Sequence, residues 1–130
     1  MSRSLDDLNP KFRAEMVDPF LADVAASGID LVIVCTYRSL EDQAVEYAKG
    51  RTSPGEISTW AKPGQSAHNF RYAIDICPIA HGKLIWDETN PIWQELGNFG
   101  RARGLEWYGA PNAKFHEDGH FQQPNWRDLL

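Results

Sequence analysis

The chain has no run of basic residues, and its formal charge at pH 7 is −5 with a pI near 5.3. That leaves no electrostatic footprint for a phosphate backbone, so no nucleic-acid partner is expected. Long apolar runs are missing too. The longest, Leu31-Val32-Ile33-Val34-Cys35, is far too short to span a bilayer and reads as a buried strand, so no membrane insertion is expected. The opening Met1-Ser2-Arg3-Ser4-Leu5-Asp6-Asp7 contains no apolar core of a signal peptide, which predicts synthesis in a cytoplasm. A substrate outside that compartment would need a separate route of release. Cysteine is scarce: Cys35 and Cys77 sit in apolar, strand-like surroundings and lack the spacing of a metal pair. Without an export signal they read as two buried thiols rather than a disulfide. Repeats and low-complexity segments are absent.

What remains is an ordinary globular composition, 42% hydrophobic and 24% charged over 130 residues. One domain spanning 1–130 is expected, with no separate binding module and no sign of an oligomer. Residues 5–27 read as helical through Leu5, Leu8, Phe12, Met16, Phe20, Leu21 and Val24, with Pro10 near the start and Pro19 implying a kink or break. A strand from Ile29 to Thr36 follows, then a helix from Leu40 to Lys49 capped by Ser39, with Asp42 in a capping-box-like place, and closed by Gly50. Residues 51–65 lose all periodicity, as functional loops do. A strand from Tyr72 to Ile79 turns at His81-Gly82-Lys83 into Leu84-Ile85-Trp86. Asn90 and Pro91 open a helix that runs to Gly104; a short strand Leu105–Tyr108, a loop Gly109–Lys114 and a last segment Phe115–Gln122 complete the order. This succession predicts an α+β domain, a small antiparallel sheet with helices packed mainly on one side.

Two stretches bear chemistry. In Ser66-Ala67-His68-Asn69-Phe70-Arg71-Tyr72-Ala73-Ile74-Asp75-Ile76, a histidine leaves a Gly/Pro loop and an aspartate follows seven residues on, inside an apolar strand. A bare carboxylate there is costly and needs a partner. An imidazole and a carboxylate are donors that zinc accepts, and His120 is a third candidate far downstream, with Glu117 three residues before it. The second stretch, His116-Glu117-Asp118-Gly119-His120, matches H-E-x-x-H literally. That motif works only on a helix, and Gly119 together with Pro111 and Pro124 argues against one here. His120 alone as ligand, with Glu117 as base and His116 nearby or exposed, is the reading that survives.

The pattern S-x-H-x(6)-D, preceded by Tyr37-Arg38-Ser39 with Gln43 and followed by Glu117-x-x-His120, resembles the VanY/D-alanyl-D-alanine carboxypeptidase family of zinc peptidases. Within it, Ala61-Lys62-Pro63-Gly64-Gln65-Ser66-Ala67-His68-Asn69-Phe70, Gly104-Leu105-Glu106-Trp107 and His120-Phe121 are similar to the L-alanyl-D-glutamate endopeptidases that serve as phage endolysins. The resemblance covers about residues 30 to 123. It implies a Hedgehog/D-Ala-D-Ala peptidase-like fold and one Zn2+ per chain held by His68, Asp75 and His120. Glu117 then falls on the catalytic acid/base position and Arg38 on the arginine that steadies an oxyanion or a substrate carboxylate. Ser66 is the serine beside the site. Arg71 stands where the family has glycine: either its backbone is strained at positive φ, or its side chain lines the cleft rim as a substrate contact. Of the five tryptophans, Trp107 is expected to line the cleft and the others to pack.

The substrate implied by the resemblance is the peptidoglycan stem peptide, cut between L-Ala and D-Glu by a monomer that reaches the periplasm through a holin-type pore during host lysis. A D-alanyl-D-alanine carboxypeptidase or dipeptidase keeps the metal and changes the bond. Such an enzyme needs a grip on a free carboxylate, for which the sequence offers only Arg38 and Arg71 as clear cations. A silent wall-binding domain with structural zinc is the alternative of another class, and Glu117 speaks against it, because a structural site needs no base.

Overall fold

The computed structural model describes residues 1–111, 113 and 115–130. The chain begins with a 3-10 turn, Leu5–Asp7, and then enters one helical stretch in three parts: α1 (Pro10–Phe12), a π-helical turn (Arg13–Val17) and α2 (Asp18–Ala26). Asn9 caps the stretch, its Oδ1 accepting from the backbone N–H of Lys11 and Phe12. Of the kink or break expected at Pro19, the break does not occur, and the disturbance takes the form of the π-helical turn just before it. That wider turn absorbs the missing N–H and the bulk of the ring, so the helix continues.

Strand β1 (Asp30–Cys35) leads to α3 (Leu40–Ala48), whose N-cap Ser39 accepts from the Asp42 N–H. The Asp42 carboxylate meets the N-terminal ammonium at 2.9 Å. The unperiodic segment after α3 has no helix or strand of its own; Arg51 ties it down, donating to the carbonyls of Tyr47 and Thr59. A 3-10 turn, Ala67–Phe70, precedes β2 (Ala73–Ala80), which turns tightly into β3 (Lys83–Leu84). Both turn residues, His81 and Gly82, have positive φ, the geometry a two-residue hairpin requires. Helix α4 (Ile92–Ala102), with Asn90 Oδ1 accepting from the Ile92 N–H, is followed by β4 (Glu106–Trp107), β5 (His120–Gln122) and a 3-10 turn, Trp126–Leu129. The loop expected over Gly109–Lys114 falls partly on Asn112 and Lys114, which lie outside the described residues.

The sheet is antiparallel in the order β1-β2-β5-β4, with β3 paired to the far end of β2. Alternation along β2 separates its two duties. Ile74 and Ile76 point into a core shared with Phe12, Phe20 and Val24 of the first helical stretch and with Trp93 and Leu96 of α4. Ala73 belongs to a smaller cluster on the opposite face with Ala67 and Trp126, and Asp75 points to that face as well. Phe121 of β5 turns toward the helices, its ring 4.8 Å from Phe20, while its neighbours His120 and Gln122 turn away. The helices thus cover one face and leave the other for the site. Two glycines of α4 permit this packing: a Cβ on Gly97 would fall 2.3 Å from the Trp107 ring, and one on Gly100 2.4 Å from Phe121.

Candidate active site

Register assembles the centre. Asp75 of β2 lies opposite Cys35 of β1 on one side and His120 of β5 on the other. The β1–β2 ladder shifts register between Ile33 and Cys35, the kind of irregularity that re-aims a side chain beside a site. His68 arrives from the 3-10 turn before β2. Ser66 caps that turn, accepting from the His68 N–H, and Asn69 completes a capping box while holding the Ser66 and Gly64 N–H groups.

His68 is 2% exposed and His120 6% exposed, too buried to be ordinary surface imidazoles. Nδ1 of His68 donates to the Thr36 carbonyl at 2.8 Å, so the lone pair of the neutral ring is on Nε2. That nitrogen is buried, stands 3.1 Å from Asp75 Oδ1 and has no hydrogen-bond partner among the described residues. His120 is arranged in mirror fashion. Its Nε2 donates to Gln122 Oε1 at 2.8 Å, which leaves Nδ1 facing the same Asp75 Oδ1 at 2.9 Å. Two imidazole lone pairs and a carboxylate oxygen therefore converge, an arrangement that repels itself unless a cation lies among them. Donors sharing a tetrahedral zinc at ~2.0–2.1 Å stand about 3.3 Å apart, close to both observed separations. Asp75 with His68 and Cys35, and Asp75 with His120 and Glu117, each form a group of donor atoms within 4.8 Å of one another. Asp75 is common to both groups, and the imidazole and carboxylate donors gathered around it are of the kind zinc accepts.

In the metal-free protein a proton takes the cation's place. Burial alone would lower the His68 pKa, but the Asp75 carboxylate outweighs it and pushes the ring up to about 10. Burial acts to raise Asp75, and His68 and His120 overcome it, holding the carboxyl well below the usual range. Glu117 stands 3.8 Å from His120 Nδ1. Burial raises its carboxyl above the ordinary value; the Asp75 charge adds to this, and His120, His68 and Arg38 oppose it. The segment 116–118 is not helical, so H-E-x-x-H does not act as a helical motif; His116 turns aside to Asp118 Oδ1 at 2.9 Å.

Arg38 approaches Asp75 Oδ2 at 4.0 Å and Cys35 Sγ at 3.8 Å, and donates to Gln43 Oε1 at 3.1 Å. Its Nε is buried without a partner among the described residues. Gln43 is fully buried and donates in turn to the Ala61 carbonyl, so α3 and the loop after it jointly aim the guanidinium. Arg71 resolves one of the two alternatives: its φ is +71°, and its guanidinium lies over the Tyr37 ring and donates to the Asp7 carbonyl. The side chain is engaged with the N-terminal segment rather than the cleft. Both cysteines are free, as the sequence suggests, but Cys35 is no mere apolar filler; its sulfur is 3.7 Å from His68 Nδ1.

A cleft of about 850 Å3 opens beside the centre, with Glu117, His120, Ser66, Trp60, Tyr108 and Arg127 among its walls. Trp107 lines it too, although the residue is only 3% exposed, and its indole N–H donates to the Asp118 carbonyl. Trp60, by contrast, is 57% exposed at the cleft edge. Sequence reasoning missed Tyr108, whose ring tilts against His120 at 4.4 Å, and Gln122, which fixes the His120 tautomer. Period-two alternation from His120 would have found Gln122. It also missed two cations: Arg101 and Arg127 line the cleft, so Arg38 and Arg71 are not the only candidates for gripping a carboxylate.

A hydrolase centre is the class that this fold and donor set define: a cation cradle, an adjacent carboxylate with a raised pKa, and an open cleft. Comparison with known proteins agrees. The family model described as VanY, D-alanyl-D-alanine carboxypeptidase, matches residues 8–120, and the chain belongs to that family. It is accordingly an enzyme, a metallopeptidase of the peptidoglycan-cleaving kind. Peptidoglycan L-alanyl-D-glutamate endopeptidase CwlK of Bacillus subtilis is 35% identical over 128 residues, covering 92% of this chain and 75% of CwlK. Among solved structures, the Serratia marcescens L-Ala D-Glu endopeptidase ChiX superposes with a TM-score of 0.68 at 20% identity, over 98% of this chain and 90% of ChiX. The D,D-pentapeptidase VanY from a VanB-type resistance cassette, solved as a mutant with Zn(II), gives 0.62 at 20% identity, over 89% of this chain and 72% of that one. These two likenesses bear out the expected fold class.

Proposed function

We propose that the chain is a zinc-dependent endopeptidase cutting the L-alanyl–D-glutamate bond of the peptidoglycan stem peptide. The observation that supports it most is Asp75 Oδ1 set between His68 Nε2 and His120 Nδ1, with Glu117 alongside. The choice of bond rests on the 35% identity to CwlK. His68, Asp75 and His120 would hold the metal. Zinc bound there would lower the pKa of a water towards ~7 and polarise the scissile carbonyl. Glu117 takes a proton from the attacking water and returns it to the departing amine, a role its raised pKa suits. Arg38, held by Gln43 and keeping a buried N–H unspent, offsets charge that grows on the carbonyl oxygen. Ser66, Trp107 and Tyr108 wall the cleft in which the stem peptide lies. Action on the wall from the periplasm after release through a pore, as a phage lysis enzyme, is the corresponding biological role.

Arg101 and Arg127 favour a second reading, D-alanyl-D-alanine carboxypeptidase, because either could hold a terminal carboxylate. The D-Glu residue of a stem peptide also carries a free carboxylate, so the arginines serve both. Digestion of purified peptidoglycan by the zinc-loaded protein, followed by mass analysis, separates them. New D-Glu amino termini are expected; release of D-Ala alone would replace the endopeptidase by the carboxypeptidase.

A further inference from the structure

A hollow of about 290 Å3 shares Glu117 and His120 with the cleft and reaches Asp75, and its other lining residues include groups that the proposed reaction does not use. Glu88, His116 and Asp118 are among its lining residues, and each offers a donor atom within 4.8 Å of the other two. They come from two segments far apart in sequence, the loop before α4 and the loop before β5, so their meeting is a product of the fold rather than of local charge.

Asp118 distinguishes this cluster from a solvated acidic patch. Its side chain is only 9% exposed, Oδ1 is engaged by His116 Nε2 at 2.9 Å, and Oδ2 is buried with no partner among the described residues. A buried carboxylate oxygen left bare is costly. Its backbone is fixed from two directions: the Asp118 carbonyl accepts from the Trp107 indole at 2.6 Å, and the Gly119 carbonyl accepts from the Ile76 N–H at 3.0 Å. Gly119 is pressed so close to the sheet that a Cβ would stand 2.4 Å from the Ile76 carbonyl oxygen. Asp118 is therefore preorganised, with His116 already on its Oδ1 and both His116 and Glu88 exposed beside it.

We propose that Glu88, His116 and Asp118 form a second divalent-cation site, distinct from the His68–Asp75–His120 centre. One imidazole with two carboxylates suits a transition ion such as Zn2+ better than Mg2+ or Ca2+, which take oxygen donors. Exposure of two of the three ligands makes it the weaker site. Because Glu117 lies between His116 and Asp118 in sequence, occupancy fixes the segment that carries the catalytic carboxylate.

The test is a Zn2+ titration of the metal-stripped full chain by calorimetry, with bound metal counted after equilibrium dialysis. Wild type takes up two equivalents, the second at least tenfold weaker. His116→Ala and Glu88→Gln, both surface changes, each remove the weak equivalent and keep the tight one; Asp75→Ala does the reverse. A single equivalent in the wild type overturns the proposal, as does a weak equivalent that survives His116→Ala. Because the readout is stoichiometry, it stands whichever peptide bond the enzyme cuts.

Discussion

Single atoms decide most of the chemistry here. Glu117→Gln keeps the shape of the side chain and removes its basicity, so zinc stays bound while turnover falls about 10^2- to 10^4-fold, the range general-base removal produces. Single-turnover digestion of a stem peptide alongside metal analysis checks both halves. Gln122 is a subtler case. It touches neither the metal position nor the cleft chemistry directly, yet its Oε1 orients His120. Gln122→Leu should weaken zinc binding about 10- to 100-fold, as loss of such partners does, read by competition with a chelator. Arg71 is the counterexample. A non-glycine residue in the left-handed region costs about 1–2 kcal/mol, set against stacking on Tyr37 and the bond to Asp7. Arg71→Gly should thus leave kcat/KM unchanged; a tenfold loss on stem peptide would return Arg71 to the substrate.

At the level of elements, the site is a consequence of strand pairing. Cys35, Asp75 and His120 share a row across three strands, and Phe121 between His120 and Gln122 locks β5 to the helices. Gly100→Ala would drive a methyl into the Phe121 ring, and overpacking of this kind costs about 1–3 kcal/mol. The melting temperature should fall and zinc affinity with it, because β5 cannot shift without moving His120; unchanged affinity in a destabilised variant would uncouple the two. Much of this was legible in the sequence. The α-β-α-β-β-α-β-β order, the Ser39 cap and the glycine closing α3 follow from periodicity and turn chemistry, while His68, Asp75 and His120 were singled out as a ligand set by the family resemblance. Pro19 was only half legible, since a proline announces a disturbed helix but not whether a π turn will absorb it. Tyr108, Arg101 and Arg127 were invisible for another reason: they reach the cleft through tertiary packing alone, and no local pattern marks them. The engagement of Cys35 with His68 depends on strand register, which a short apolar run does not reveal.

Across the whole molecule, the metal-free and metal-bound forms should respond to pH in opposite senses. His68 has a folded pKa raised to about 10 by Asp75, against ~6.5 for a free imidazole, so its contribution is full below ~6.5 and is lost as pH climbs toward 10. Asp75 is lowered, so its contribution holds above ~3.9 and is lost on acidification. The stripped protein should therefore melt highest between about pH 4 and 6.5 and progressively lower above that window. Zinc must displace the proton, so the rise in melting temperature on adding metal should grow from pH 5 to 8. Scanning calorimetry of both forms over that range checks it; a stripped protein equally stable at pH 6 and 9 would mean that the His68–Asp75 pair does not form. The division between sheet and loops reaches further. The reactive centre is written into paired strands, whereas the cleft walls come from Thr59–Ala67 and from the chain on either side of β4. A change in the loops can therefore reshape the cleft while the paired strands keep the donors in place, so the choice of bond and the means of breaking it reside in separate parts of the chain.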